Sequence, residues 1–247
     1  MVKIGNTEVA SGMPTYVVAE AGINHIGRFD VAKQLVNVAV KAKCNAVKFQ
    51  TFKENEVKFP NLTYDEFARL KAYCDSKNIT FLSTPHSLSA IDFLAPIVPA
   101  FKIASSHITN DYFVKRVKIK GKPVIASTCS TTHRNKITNK DEIYNFLRII
   151  HSNLILLYCI SEYPCYNFDT NDFIKFMTMY GPRPIGISCH YPDIDFSIEA
   201  VRAGACLVEK HITIDEDFDC PDKEVSLTPD KLTQLVREIR RIDKYSK

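Results

Sequence analysis

Short apolar runs of strand length alternate along the chain with longer segments that show helical periodicity. The eight runs cover residues 15–20, 45–50, 79–83, 100–105, 123–127, 154–161, 184–188 and 206–212. Eight parallel strands joined by helical crossovers are what a closed parallel barrel needs. The pattern therefore predicts an α/β fold, a single (β/α)8 or TIM barrel.

The segments between the runs carry the signals that begin helices. Thr63 and Glu66 form a capping-box pattern, in which the hydroxyl and the carboxylate each satisfy a free backbone amide. Pro229 stands at the first position of a last helix, residues 229–244, where no amide donor is needed. Residues 1–14 predict a small hairpin that closes the bottom of the barrel.

The whole chain, residues 1–247, is expected to form this one domain. Its length is close to the roughly 250 residues that are typical of a TIM barrel. The alternative is an open doubly wound sheet, but no GxGxxG turn follows the first strand. The barrel is therefore the predicted architecture.

Composition and charge narrow the class of function. The net charge of +4 is small and the basic residues are interspersed with acidic ones, so nucleic acid is not an expected partner. No apolar run approaches the roughly 18 residues of a membrane span, and the N-terminus lacks the layout of a signal peptide. The eight cysteines include no CxxC pair, which predicts buried free thiols in a reducing compartment. We therefore expect a cytoplasmic protein without a membrane partner.

Polar side chains gather at the ends of the apolar runs, where a TIM barrel keeps its catalytic groups. They are Glu20, Lys48, Gln50, Ser83, Thr84, Lys102, Ser105, Ser127, Thr128, Ser161, Ser188, His190, Glu209 and His211. Two lysines among hydroxyls suit a small anion that carries phosphate and carboxylate groups. His190 and His211 end adjacent strands and predict a divalent-metal site with open positions for substrate and water. His133 and His151 are expected to be surface or structural residues.

Nine motifs follow one another along the chain. They are AEAGINH (19–25), AVKFQTF (46–52), FLSTPHS (81–87), FKIASS (101–106), GKPVIAST (121–128), YCISEYP (158–164), GISCHYPD (186–193), VEKHIT (208–213) and CPDKEVSLTPDKL (220–232). In this combination and order the chain resembles the sialic acid synthase family. The resemblance implies a transferase that condenses phosphoenolpyruvate with an N-acetylated amino-sugar aldehyde, such as N-acetylmannosamine. The products would be a nonulosonic acid and phosphate.

The same resemblance implies roles for individual residues. Glu20 would be the acid–base carboxylate near the aldehyde or the attacking water, and it would form the catalytic set with Lys48, Lys102 and Asp222. Phosphoenolpyruvate would be held by Lys48, Thr84, Lys102, Ser105, Ser127, Ser161 and Ser188. The sugar would be contacted by Gln50, Tyr163 and Asp222. The metal ligands would be His190 and His211, with Mn²⁺ as the usual ion of the family and Mg²⁺ or Co²⁺ as alternatives.

The chain also departs from the pattern of that family. His107 stands where the family carries an acidic residue, and Cys189 stands where a carboxylate precedes the first metal histidine. Ser161 replaces an Asn of the phosphate-binding motif in the sixth strand. The segment between Gln50 and Thr63 is short, whereas the family has a long loop that covers the sugar.

Many members of that family continue into an antifreeze-like domain, which supplies an arginine to the sugar site of a partner subunit. Because this chain ends at Lys247, we expect it to lack that domain. The expected partners are therefore phosphoenolpyruvate and an amino sugar. Assembly stays open between a homodimer and a complex with a separate antifreeze-like domain chain.

Two other functions stay open. A Schiff-base aldolase would use Lys48 or Lys102, although no neighbour in the sequence demands a lowered pKa for either lysine. A degenerate, non-catalytic relative with a role in assembly or regulation would account for His107 and Cys189. Retention of Glu20 and of both lysines and both strand-end histidines weighs against such decay.

Overall fold

The predicted barrel is confirmed by a computed structural model, which describes residues 1–53, 60–129 and 140–245. Each apolar run of the sequence overlaps a strand. The barrel strands are β3 (Tyr16–Gly22), β4 (Ala46–Thr51), β5 (Thr80–Pro85), β6 (Phe101–Ile103), β7 (Val124–Cys129), β8 (Leu154–Cys159), β9 (Ile185–Cys189) and β10 (Leu207–His211). A two-stranded hairpin, β1 (Val2–Ile4) and β2 (Thr7–Val9), precedes them.

Helices follow the barrel strands and cover their outer faces. In the described ranges these are α1 (Phe29–Lys41), α2 (Tyr64–Ser76), α3 (Leu88–Leu94), α4 (Asp111–Lys118), α5 (Lys140–Ile149), α6 (Thr170–Tyr180), α7 (Asp195–Arg202) and α8 (Pro229–Tyr245). The capping box predicted for α2 is confirmed, because Thr63 accepts from the amide of Glu66 and the Glu66 carboxylate accepts from the amide of Thr63. The predicted proline start of α8 is also confirmed, at Pro229.

The barrel strands are all parallel and are hydrogen-bonded in the order β5-β4-β3-β10-β9-β8-β7-β6. Strands β5 and β6 stand at the two ends of this order and lie in contact with each other. No ladder hydrogen bonds pair them in the part of the chain that the structure describes. Packing therefore closes the barrel at one seam, between β5 and β6.

The interior of the barrel changes from apolar at the bottom to polar at the top. The hairpin side chains Val2, Ile4 and Val9 are buried in one cluster with the first inward positions of the barrel strands. On β4 the same face carries Ala46 in that cluster and then Lys48 and Gln50 towards the C-terminal end. The hairpin thus covers the apolar end, and the polar side chains collect at the opposite end.

The outer core lies between the strands and the helices, and it contains most of the buried apolar side chains. Every cysteine whose side chain is described is a free thiol, as predicted, and all of them except Cys44 are buried. His151 is exposed, as expected, whereas His133 lies outside the described residues. In the described ranges, none of the helices combines the length and the apolarity that crossing a membrane would require.

A polar network ties the last helix to the beginning of the barrel. Arg240 donates from Nη1 to the carbonyl oxygen of Thr15 at 2.6 Å and from Nη2 to Oδ1 of Asn45 at 2.8 Å. Asp243 Oδ1 accepts from the amide and the hydroxyl of Thr15 at 3.0 and 2.8 Å. Asn45 Oδ1 also accepts from the amide of Val17 at 2.8 Å. The network therefore joins α8 to the residues that lead into β3 and β4.

Replacing Arg240 by Met should lower the free energy of unfolding by about 2 kcal/mol, because hydrogen bonds from a charged donor to half-buried acceptors are lost. The matched control is Arg241→Met on the same helix, which removes an exposed arginine 3.5 Å from Glu238 and should change stability by less than about 0.5 kcal/mol. Urea denaturation followed by circular dichroism measures both values. Equal effects of the two substitutions would contradict the role of the network.

Candidate active site

Four buried charged side chains meet inside the C-terminal end of the barrel. Lys48 Nζ on β4 lies 2.7 Å from Oε2 of Glu20 on β3 and 3.5 Å from Oε1 of Glu209 on β10. Lys102 Nζ on β6 donates to the same Glu209 oxygen at 2.7 Å. All four side chains are at most 5% exposed. Glu20, Lys48, Lys102 and Glu209 are called the charge cluster below.

Burial and pairing act in opposite directions on the pKa values of these groups. Burial raises the pKa of Glu20, and Lys48 only partly reverses that effect. For Glu209, Lys102 and Lys48 together outweigh burial and hold the pKa below its usual value. Burial lowers the pKa of Lys102, whereas the two carboxylates raise that of Lys48. Nothing in the sequence gave a reason to expect a lowered pKa for either lysine. The lowered pKa of Lys102 comes from desolvation of its ammonium in the barrel interior.

Hydroxyl groups from neighbouring strands surround the charge cluster. Lys48 Nζ donates to Thr84 Oγ1 on β5 at 3.0 Å, and Ser188 Oγ on β9 donates to Oε1 of Glu209 at 3.1 Å. Ser127 Oγ on β7 is buried and has no hydrogen-bond partner among the described residues. A small oxyanion bound beside the lysines would find these hydroxyls in the same layer of the barrel.

Two further predicted serines lie at the rim rather than inside. Ser105 follows β6 and Ser161 follows β8, and their hydroxyl oxygens are 3.2 Å apart. Ser161 is exposed and Ser105 is half-buried. The two hydroxyls connect loops from separate strands on the same side of the opening.

The predicted metal histidines are adjacent, with ring centroids 5.5 Å apart. His190 Nδ1 lies 2.9 Å from the carbonyl oxygen of Ile160. Because a carbonyl only accepts, Nδ1 carries the proton and Nε2 keeps a free lone pair. His211 Nδ1 lies 3.2 Å from Oδ2 of Asp222, and the half-exposed Tyr163 ring stacks on His190 with centroids 3.9 Å apart.

A glycine allows three polar side chains of the site to lie close to the backbone of β3. Gly22 has a φ of +53°, and a Cβ there would lie 3.1 Å from Oδ2 of Asp222, 3.4 Å from Nε2 of Gln50 and 3.5 Å from Oε1 of Glu20. Gln50 Nε2 also donates to Oε1 of Glu20 at 3.3 Å. Buried Asn24 accepts from the amide of Asp222 at 2.9 Å and thus holds that loop over the site. Polar groups from β3, from β4 and from the loop that carries Asp222 therefore lie together at the C-terminal end of the barrel.

The structure accounts for two departures from the family pattern. At Cys189, where a carboxylate would have been available to orient the first histidine, the carbonyl of Ile160 orients His190 instead. His107, which replaces an acidic residue, lies against a second histidine, with its Nε2 3.3 Å from Nδ1 of His86. The sequence prediction gave no partner for either histidine.

All predicted site residues lie at the C-terminal side of the barrel, but three contributors had been given no role. Glu209 bridges both lysines, Asn24 positions Asp222, and His86 pairs with His107. The sequence already placed Glu209 at a strand end, on the same strand face as His211, but did not reveal its partners. Asn24 and His86 gave no such signal, since loop contacts between distant segments determine their partners.

Comparisons with known proteins agree with this geometry. The sequence pattern that defines the NeuB family matches residues 57–247. An uncharacterised protein of Methanocaldococcus jannaschii is 36% identical over 98% of this chain and 75% of that protein. The N,N'-diacetyllegionaminic acid synthase of Campylobacter jejuni is 32% identical over 93% of this chain and 77% of that protein.

A solved structure is similar to this chain in both sequence and fold. The crystal structure of an N-acetylneuraminic acid synthetase from Leptospira borgpetersenii, in complex with citrate, is 32% identical and superposes with a TM-score of 0.89. The superposition covers 99% of this chain and 89% of that one. The chain therefore belongs to the NeuB family and is an enzyme of the N-acetylneuraminate synthase type.

Proposed function

We propose that this enzyme condenses phosphoenolpyruvate with an N-acetylated amino-sugar aldehyde, N-acetylmannosamine or a close analogue, to give a nonulosonic acid and phosphate. The observation that carries the proposal is the charge cluster, in which two lysines lie buried among hydroxyls beside two neighbouring histidines. Membership of the NeuB family supports it, because matched members are synthases of sialic and legionaminic acids.

The phosphoenolpyruvate half of the proposed site consists of the two lysines and the surrounding hydroxyls. Lysine supplies a compact positive charge, and hydroxyls supply short hydrogen bonds to phosphate and carboxylate oxygens. The groups proposed to bind this substrate are Lys48, Thr84, Lys102, Ser105, Ser127, Ser161 and Ser188. Without substrate, Glu20 and Glu209 balance the two positive charges, so the lysines stay paired although they are buried.

The sugar half of the proposed site lies beside Gly22 and consists of Gln50, Tyr163 and Asp222. A side chain at position 22 would crowd Asp222 and Gln50. Glu20 reaches both halves, since its Oε2 contacts Lys48 and its Oε1 accepts from Gln50. We therefore assign the aldehyde and the attacking water to the space next to the Glu20 carboxylate.

The donor set fits a divalent metal bound by His190 and His211. The orientation of His190 by a backbone carbonyl leaves Nε2 free as a ligand, which is how metal-binding imidazoles are usually held. No group of three metal-ligating side chains occurs in the described part of the chain. We assign the remaining coordination positions to substrate and water. Bound there, Mn²⁺ would act as a Lewis acid on the aldehyde, and Mg²⁺ or Co²⁺ could substitute.

The reaction then requires few changes in bonding. The methylene carbon of phosphoenolpyruvate forms a bond to the aldehyde carbon, whose oxygen gains a proton. Water adds to the former enol carbon and loses a proton, for which the Glu20 carboxylate is the proposed carrier. The bond from that carbon to the phosphate oxygen then breaks, while the added hydroxyl becomes the keto group and gives its proton to the departing phosphate. Lys48 and Lys102 stabilise the charge on that phosphate.

Purified protein should release inorganic phosphate from phosphoenolpyruvate only when Mn²⁺ and a suitable 2-acetamido aldose are both present. A panel of such sugars, followed by a phosphate assay and mass spectrometry of the product, identifies the acceptor. Release should fall at least about a hundredfold in Lys102→Met, because a charged contact to the departing phosphate is lost. The surface variant Lys120→Met is the control. No release with any sugar, even after an antifreeze-like domain is added in trans, would disprove the proposal.

Replacing His211 by Ala should abolish turnover and weaken Mn²⁺ binding at least about tenfold, because one of two imidazole ligands is lost. The exposed His151→Ala variant should behave like the wild type in both measurements. Binding is measured by electron paramagnetic resonance, and the melting temperature checks that the barrel remains folded. Unchanged Mn²⁺ affinity would refute the ligand assignment, and absence of Mn²⁺ binding by the wild type would favour a non-catalytic relative.

The lowered pKa of Lys102 keeps a Schiff-base aldolase as a second candidate, since a desolvated lysine is a better nucleophile. We expect no such chemistry, because Lys102 Nζ is engaged by Glu209 at 2.7 Å. Borohydride reduction in the presence of pyruvate should leave the mass of the protein unchanged. A reduced pyruvate adduct mapped to Lys102 would instead support the aldolase.

A further inference from the structure

A pair of histidines spans the seam of the barrel above the charge cluster. His86 follows β5, and His107 ends a short 3-10 helix, Ser105–His107, after β6. His107 Nε2 lies 3.3 Å from Nδ1 of His86, so one ring donates a hydrogen bond to the other. The amide of His86 also donates to the carbonyl of Thr51 at 2.9 Å. The pair thus joins two strands that have no ladder hydrogen bonds between them in the described ranges.

Both rings are held in place by aromatic side chains. His86 stacks on Phe52 with centroids 4.4 Å apart, and His107 stacks on Phe113 with centroids 4.3 Å apart. The remaining ring nitrogen, Nε2 of His86, is buried and has no hydrogen-bond partner among the described residues. An unsatisfied buried polar atom costs about 1–3 kcal/mol. A ligand that supplied a partner would recover this free energy.

The charges around the pair indicate the sign of that ligand. Lys48 and Lys102 lie near enough to disfavour a positive charge on His86, and the uncharged His107 is its direct neighbour. The charge cluster itself sums to zero, because two carboxylates balance two ammonium groups. Phosphoenolpyruvate adds up to three negative charges, of which a divalent ion at the two proposed metal histidines would balance two, while both lysines are already paired. Burying such an excess is costly unless the site gains positive charge.

We propose that the His86–His107 pair takes up one proton when phosphoenolpyruvate binds, and that the resulting imidazolium donates from Nε2 of His86 to the bound anion. The inference rests on the proposed function. The proton comes from solvent by way of His107, the partner at the rim, and returns to solvent when the products leave. No covalent bond changes in this step.

The direction of the linkage follows from the surroundings of His86. Burial lowers its pKa to about 3, with smaller contributions from His107, Lys48 and Lys102, and burial also lowers the pKa of His107. The pair is therefore uncharged at neutral pH in the free protein. A polyanion beside the lysines raises the pKa of the pair, so protons are bound on association. Affinity should accordingly weaken by up to about tenfold per unit of rising pH.

Isothermal titration calorimetry tests the uptake directly. Phosphoenolpyruvate is titrated without sugar into Mn²⁺-saturated protein at pH 7.5, where a phosphate group with a second pKa of about 6 is ionised. Repeating the titration in buffers of different ionisation enthalpy gives the number of protons bound. We expect more than about half a proton per site in the wild type and in the control His151→Gln. His86→Gln and His107→Gln should reduce it to near zero.

Nuclear magnetic resonance of the imidazole Cε1–H groups locates the proton. Signals that disappear in His86→Gln and His107→Gln assign the pair, and in the wild type they should move to imidazolium positions on adding phosphoenolpyruvate. Binding without proton uptake, or with uptake retained in both variants, would overturn this inference and leave the proposed function intact. Absence of phosphoenolpyruvate binding at millimolar concentration would overturn both. If one variant does not fold, the proton count of the other variant, compared with that of the wild type, decides whether the pair takes up the proton.

Discussion

Four charges buried together inside the barrel form the interaction on which the rest of the site depends. Removing each ion from water costs several kcal/mol, and only close pairing within the charge cluster offsets that cost. Glu209 Oε1 reaches both lysines, although β10 and β6 are separated by three other strands in the sheet. A closed barrel is what brings these strands to face one another. The cluster therefore requires the closed sheet and also ties its upper layer together.

The two ends of the barrel interior serve different purposes. The lower end is apolar and is covered by the hairpin, while α8 is fastened to the residues before β3 and β4 through Arg240. These contacts stabilise the sheet at the end of the barrel opposite the candidate active site. The upper end can then expose polar groups to ligands without loss of the core. This separation is common to TIM barrels, whose catalytic residues extend from the C-terminal strand ends.

The departures from the family pattern are compensated by local contacts. His190 has no carboxylate at position 189 to orient it, yet the carbonyl of Ile160 gives its ring a definite tautomer. His107 has exchanged a negative charge for a ring that pairs with His86. A site that loses a carboxylate becomes less negative, which favours an anionic substrate. The altered residues are therefore compatible with the proposed chemistry.

The sequence by itself determined the architecture and most of the site. Eight apolar runs predicted the barrel strands, because strand length and crossover spacing are local properties. The polar ends of those runs gave the candidate site residues. Only the tertiary structure decided which side chains pair. Glu209 pairs with Lys102 across the barrel, and Asn24 accepts from the amide of Asp222 above the site. His86 pairs with His107 across the seam. Such contacts join segments far apart in the chain, so their distances, burial and charge balance exist only once the barrel has closed.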